Sequence, residues 1–206
     1  MTRGRALLLF SAAFLASFLL LAAFVARPLL SRRAVPELPR LGSVPAFDLA
    51  THDGRRLSQR DLAGSVWVAD FVFLRCGTTC PVMTASMAAL DKTLKDAPRV
   101  RFVSFDVDPE HDDVPALAAY AKENGAVAPR WTFLHPGDRK TILAISREGF
   151  RLGLDQGTPE DTEPILHSSR FVLVDKKGTI RGTYDGTDSA AMETLARDAR
   201  RLEREP

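Results

Sequence analysis

Residues 66–81 read Val66-Trp67-Val68-Ala69-Asp70-Phe71-Val72-Phe73-Leu74-Arg75-Cys76-Gly77-Thr78-Thr79-Cys80-Pro81. Residues 66–74 are apolar except for Asp70, and a near-continuous apolar run of this length is the pattern of a central strand covered on both faces. Proline suits the first position of a helix. From Pro81 onward Met83, Met87, Leu90 and Leu94 recur at spacings of four, three and four, so residues 81–94 read as a helix with one apolar face, its methionines in the core. Both cysteines of the chain lie where strand passes into helix.

Working outward, residues 100–105 (VRFVSF) read as a second strand, 114–124 as a helix, 131–134 as a short strand whose Trp131 and Phe133 belong to the core, and 138–148 as another helix. Residues 171–174 and 179–184, joined by Asp175-Lys176-Lys177-Gly178, form a hairpin, and 189–203 a closing helix with Ser189 as its cap. Upstream, Phe47, Leu49 and Arg56-Leu57 flank Asp53-Gly54, a dipeptide suited to a tight hairpin turn. Strands that alternate with helices imply a parallel centre with helices on both faces, and the last hairpin adds antiparallel edge strands. The expected fold class is a three-layer α/β/α sandwich. There is no internal repeat and no glycine-rich phosphate loop, so nucleotide chemistry has no support.

At 206 residues, 45% apolar and 26% charged, the chain has the composition of one globular domain and not of a disordered or collagen-like protein. Its formal charge of +2 is unevenly placed: Arg3, Arg5, Arg27, Arg32 and Arg33 precede residue 34 in a stretch without acids, which leaves the remainder at −3. A basic groove for nucleic acid is therefore not expected. Residues 6–26 are apolar except for Ser11 and Ser17, and as a helix they cover about 30 Å, one hydrocarbon core. Phe24 stands where a cleavable signal ending at Ala26 wants a small residue, which favours an uncleaved transmembrane anchor. Arginines on both sides leave the orientation open. Residues 1–33 thus read as anchor, 34–45, with three prolines, as tether, and 46–206 as the domain.

Cys76 and Cys80 stand at the mouth of a helix, where amide N–H groups without intrahelical partners favour thiolate. Such a pair is either nucleophilic or a good soft-metal ligand. A structural disulfide would close a loop too short to restrict the unfolded chain much. Two cysteines without a second pair do not make a structural zinc site, whereas copper(I) accepts two thiolates and one further ligand. Of four histidines, His52 beside a hairpin turn and His111 in a polar loop read as solvated, and His135 lies in a turn. His167 precedes the strand at 171–174, which in a thioredoxin-type sheet neighbours the strand leading into the cysteines. It reads either as a third ligand or as a hydrogen-bonded histidine at a strand start. Asp70 reads either as a tuner of a thiol or as a satisfied buried acid. Asp106, Asp108 and Asp112 read as a solvated turn before they read as a hard-cation loop.

The run Ala69-Asp70-Phe71-Val72-Phe73-Leu74-Arg75-Cys76 with Cys80-Pro81-Val82-Met83-Thr84, then Asp106-Val107-Asp108-Pro109-Glu110-His111-Asp112, then His167-Ser168-Ser169-Arg170-Phe171-Val172-Leu173-Val174-Asp175 with Gly178, resembles the Sco/SenC family. The resemblance extends from about Ala46 to the closing helix. It implies a thioredoxin-like fold, copper held by the two cysteines of C-x-x-x-C-P and a distal histidine, and a part in assembling the dinuclear copper centre of cytochrome c oxidase. Carried over by position, the ligands are Cys76, Cys80 and His167. Gly77, Thr78 and Thr79 stand where many members have Pro and Asp between the cysteines.

Two functions follow as expectations. The first is a membrane-tethered copper metallochaperone, its domain on the extracytoplasmic (periplasmic) side, with the copper subunit of cytochrome c oxidase or another cuproprotein as client. The second is an extracytoplasmic thiol-disulfide oxidoreductase in which Cys76 and Cys80 form a redox-active disulfide. A three-residue spacer, and no proline directly before the strand at 171, weigh against a general oxidoreductase.

Overall fold

The computed structural model describes residues 14–15, 17–18, 20–22, 36–150 and 169–205. The chain divides into two units, Met1–Glu37 and Leu38–Pro206. In the first, the described residues from 14 to 22 are helical, and Phe14, Leu15, Phe18, Leu20 and Leu21 are exposed. Most of the anchor read over residues 6–26 lies outside the described residues, among which no helix is long and apolar enough to cross a membrane.

The second unit is built on one eight-stranded sheet of mixed direction. Its strands are β1 (Gly42–Ser43), β2 (Asp48–Thr51), β3 (Arg56–Ser58), β4 (Val66–Val72), β5 (Val100–Asp106), β6 (Trp131–His135), β7 (Arg170–Val174) and β8 (Thr179–Asp185). They lie in the order β1-β8-β7-β4-β5-β6-β2-β3. β4, β5 and β6 are parallel, with Asp70 opposite Ser104 and Ser104 opposite Phe133. β7 runs antiparallel to β4 and pairs with β8 in the expected hairpin. The hairpin is not the sheet edge, however. β1 pairs beyond β8, so part of the stretch read as tether is sheet. At the opposite side the β2–β3 hairpin turns through Gly54, whose φ of 80° is costly for any residue with a side chain, and closes on β6.

The helices are α1 (Thr79–Thr93), α2 (Val114–Glu123), α3 (Arg139–Ala144), which continues as a π-helical turn at Ile145–Phe150, and α4 (Ser189–Arg204). Side chains alternate across a strand, so Trp67, Phe71 and Phe105 share one face of the sheet. There Phe71 stacks on Phe105 at 5.2 Å, and both meet Phe150 edge-on. Phe47 closes that cluster against Trp67 and Phe105. On the other face Phe133 meets Tyr120 of α2, whose hydroxyl lies 2.9 Å from that of Thr84 in α1. The π-helical turn comes so close to the start of the domain that a Cβ on Gly149 would fall 1.9 Å from Pro45, so glycine is required there. Met83, Met87, Trp131 and Phe133 are in the core as expected. The cap of α4 is Asp188 and not Ser189: its carboxylate accepts the Ala190 amide at 2.9 Å, and a carboxylate also suits the positive end of the helix.

Candidate metal centre

The two cysteines sit at the carboxyl ends of the parallel strands, where open α/β sheets place their ligand sites. β4 ends at Val72, and the chain turns through Phe73–Arg75 to bring Cys76 in front of the first turn of α1. Cys80 is the second residue of that helix, which starts two residues earlier than the sequence pattern suggested. Thr78, at the cap position, makes no side-chain cap bond. The cap is a sulfur: Cys76 Sγ accepts the Cys80 amide at 3.3 Å. An amide of the helix start that has no carbonyl partner is therefore satisfied by the first cysteine.

Both cysteines are free and buried, at 5% and 6% exposure. Their thiols are nevertheless unlike. Burial works to raise the Cys76 pKa, but the amides of Cys80, Thr78 and Thr79, together with the Cys80 side chain, outweigh it and hold this thiol below its ordinary value. Burial pushes the Cys80 thiol up to about 12; the Phe73 backbone opposes this, and Cys76 and Asp70 add to it. One sulfur is poised as thiolate and the other keeps its proton until an electrophile or a metal displaces it. Two adjacent sulfurs, shielded from water, one of them already favouring the anion, are a donor set that fits a soft monovalent ion.

Asp70, in the middle of β4, is fully buried, and neither carboxyl oxygen accepts a hydrogen bond. Burial raises its pKa to about 7, and the Ser104 hydroxyl opposes that shift without reaching hydrogen-bonding geometry. Of the two expectations for Asp70, that of a thiol tuner is favoured, since Asp70 contributes to the raised Cys80 value. His52, expected to be solvated, is buried, its pKa lowered by burial, and its Nδ1 accepts the Phe133 amide at 3.1 Å. His111 is half exposed and bonds Asp108 at 2.8 Å. His135, expected in a turn, is instead the last residue of β6, with Nδ1 accepting the Gly137 amide and Nε2 reaching the Asp112 carbonyl at 2.8 Å. His167 lies outside the described residues.

The loop from Asp106 to Asp112 is the main correction to the sequence reading. Its three aspartates are not a solvated turn: Asp106 and Asp108 are completely buried and Asp112 is 3% exposed. They face the cysteine loop, where Arg75 Nη2 donates to Asp108 at 2.6 Å and the Leu74 amide to Asp112 at 2.8 Å. The signal available in the sequence was the position of the acids, directly after an apolar strand that neighbours the cysteine strand. Asp108, Glu110 and His111 also bring ligand atoms within 4.8 Å of one another, but the Arg75 guanidinium already neutralises Asp108.

A family model described as SCO1/SenC matches residues 38–203. The SCO1 protein homolog of Bacillus subtilis (strain 168) is 33% identical over 158 residues, which cover 76% of this chain and 81% of that one. Among solved structures, a SCO1/SenC family lipoprotein from Bacillus anthracis str. Ames superposes with a TM-score of 0.74 at 32% identity, covering 81% of this chain and 99% of its own. BsSco, described by a disulfide switch and as a member of the Sco family of cytochrome c oxidase assembly proteins, gives 0.72 at 30% identity, covering 83% and 100%. ScoI of Bradyrhizobium japonicum, solved with copper bound, shares the fold at a TM-score of 0.64 and 21% identity, covering 78% and 99%.

Proposed function

Because this chain belongs to the SCO1/SenC family, we propose that it binds one copper(I) ion through Cys76, Cys80 and His167 and passes it to a cuproprotein, the copper subunit of cytochrome c oxidase being the expected client. The observation that carries the proposal is the pair of free, buried sulfurs joined by the Cys80 amide at the start of α1. A dithiolate supplies two strong soft ligands, and a neutral imidazole completes a low-coordinate site. Such a site leaves one side of the ion open, so an incoming ligand from the client displaces one of the three before the next departs, and free copper is never released. The resemblance of the segment around His167 to the family motif supports the third ligand, and the apolar run at residues 6–26 supports a membrane tether; the extracytoplasmic side for the domain follows from the expected oxidase client and not from the run.

A second activity is favoured by the unequal thiols. The Cys76 thiolate attacks a client disulfide, forming a mixed disulfide and releasing one client thiolate. Cys80, losing its proton, then attacks the Cys76 sulfur, which releases the second client thiolate and leaves a Cys76–Cys80 disulfide. The client gains two electrons and the chain loses two. The disulfide switch described for BsSco, 30% identical, supports this chemistry as a stage in the same cycle, since an oxidised pair offers no thiolate to copper. Anaerobic copper(I) titration of the full chain in detergent tests both parts. The reduced chain is expected to take up one copper and the oxidised chain none; equal uptake by the two forms contradicts the proposal.

A further inference from the structure

The segment that delivers Cys76 is tied to a neighbouring loop. Beyond the end of β4, Leu74 and Arg75 are fixed from the other side by the loop between β5 and α2. Asp112 accepts the Leu74 amide at 2.8 Å, two residues before the cysteine whose sulfur caps α1. Asp112 is itself locked. Its amide donates to the Asp108 carbonyl at 2.9 Å and its carbonyl lies 2.8 Å from His135 Nε2. His135 Nδ1 accepts the Gly137 amide, so Nε2 carries the proton and donates. Asp106 Oδ1 takes the Asp108 amide at 2.9 Å, while its Oδ2 is buried with no donor in reach. The Asp106 and Asp112 carboxyl groups interact, so a proton on Asp106 gives it a hydrogen bond to donate to Asp112.

We propose that Asp112 is a positioning residue of the dithiol site: by holding the Leu74 amide, with Asp106 and His135 holding Asp112 in turn, it sets Cys76 Sγ at the place where the sulfur meets the Cys80 amide. The loop after β5, which carries no ligand, thereby decides how well the first ligand is presented. Without this tie the Phe73–Cys76 turn loses its link to the loop after β5 at Leu74 and retains the Arg75 contact and the Cys76 amide bond to the Phe73 carbonyl at 3.4 Å. The sulfur then spends part of its time away from the amides that favour its thiolate.

The consequence for copper rests on the function proposed above; the consequence for the thiol does not, and the test separates them. The pH profile of Cys76 alkylation, read by mass mapping on the reduced, metal-free full chain, is compared among wild type, Asp112→Ala and Asp112→Asn. In Asp112→Ala the midpoint is expected to rise by about one unit toward that of a free cysteine, and copper(I) affinity to fall about ten-fold. In Asp112→Asn the side-chain oxygen still accepts the Leu74 amide and the NH2 group serves Asp106, so both quantities return to within about two-fold of wild type. Should Asp112→Ala not fold, Asp112→Ser, whose hydroxyl is too short for Leu74, is held to the same values. An unchanged midpoint in Asp112→Ala, or a midpoint that Asp112→Asn fails to restore, overturns the inference. Failure of wild type to bind copper overturns the proposed function alone.

Discussion

Cys76→Ser and Cys80→Ser are each expected to weaken copper(I) binding by roughly a thousand-fold or more, about 4 kcal/mol. A serine hydroxyl is a hard, neutral donor at pH 7, whereas the ion is soft and is held by thiolate. The structure limits the collateral damage at position 76. The sulfur there serves as an acceptor for the Cys80 amide, and a hydroxyl oxygen can accept the same bond, so the start of α1 survives the change. At position 80 the hydroxyl enters a buried site, and if left without a partner it costs about 1–3 kcal/mol of stability. Circular dichroism and the unfolding midpoint are therefore recorded beside the competition of each variant with a chromophoric copper(I) chelator. Wild-type affinity in either folded variant removes the dithiol from the site.

The second large effect is kinetic and needs no metal. In the reduced chain near pH 7, Cys76 is expected to react with iodoacetamide on the order of a hundred times faster than Cys80. The Cys76 thiol is held below its ordinary pKa by three amides at the helix start, and Cys80 is pushed up to about 12. The ratio of thiolate populations alone exceeds a thousand-fold, but a less basic thiolate is also less nucleophilic, which takes back part of the advantage. Mass mapping of partly alkylated protein measures the ratio directly. Equal rates would mean that the sulfur is not placed at the helix start, and would remove the basis for Cys76 as the attacking thiol. Once the pH passes the Cys76 value the ratio narrows, because the Cys76 thiolate is then saturated while Cys80 continues to ionise.

The residues that made the fold legible are those whose burial follows from periodicity. The apolar run at 66–74 is the central strand β4, the spacing of Met83, Met87 and Leu90 is the buried face of α1, and Asp53-Gly54 is the hairpin turn. Periodicity has nothing to say about two-residue strands, so β1, formed by Gly42 and Ser43 within a proline-rich stretch, looked like linker. Nor does it distinguish an acid that is solvated from one that is paired. Asp106, Asp108 and Asp112 looked like a surface turn because three carboxyl groups are costly to bury; they are buried because Arg75, the Leu74 amide and a proton on Asp106 meet their needs. Arg75 and Leu74 come from a loop 33 and 38 residues away from their partners in sequence, and no local pattern announces the pairing. For His52 the same holds, its partner being the amide of Phe133 across the sheet. The cysteines were legible as a pair at the mouth of a helix, but their inequality was not, since it depends on which sulfur accepts the amides and which thiol burial dominates.

One distant imidazole, that of His167, is proposed to complete a trigonal site with this dithiol, and a single affinity ratio tests it. Copper(I) competition on the reduced full chain compares wild type with His167→Ala. Loss of one of three ligands is expected to lower the affinity by at least about a hundred-fold, with one copper per chain still bound by the two sulfurs at high loading. An unchanged affinity in His167→Ala would contradict the three-ligand site and leave a dithiol protein whose chemistry is redox alone.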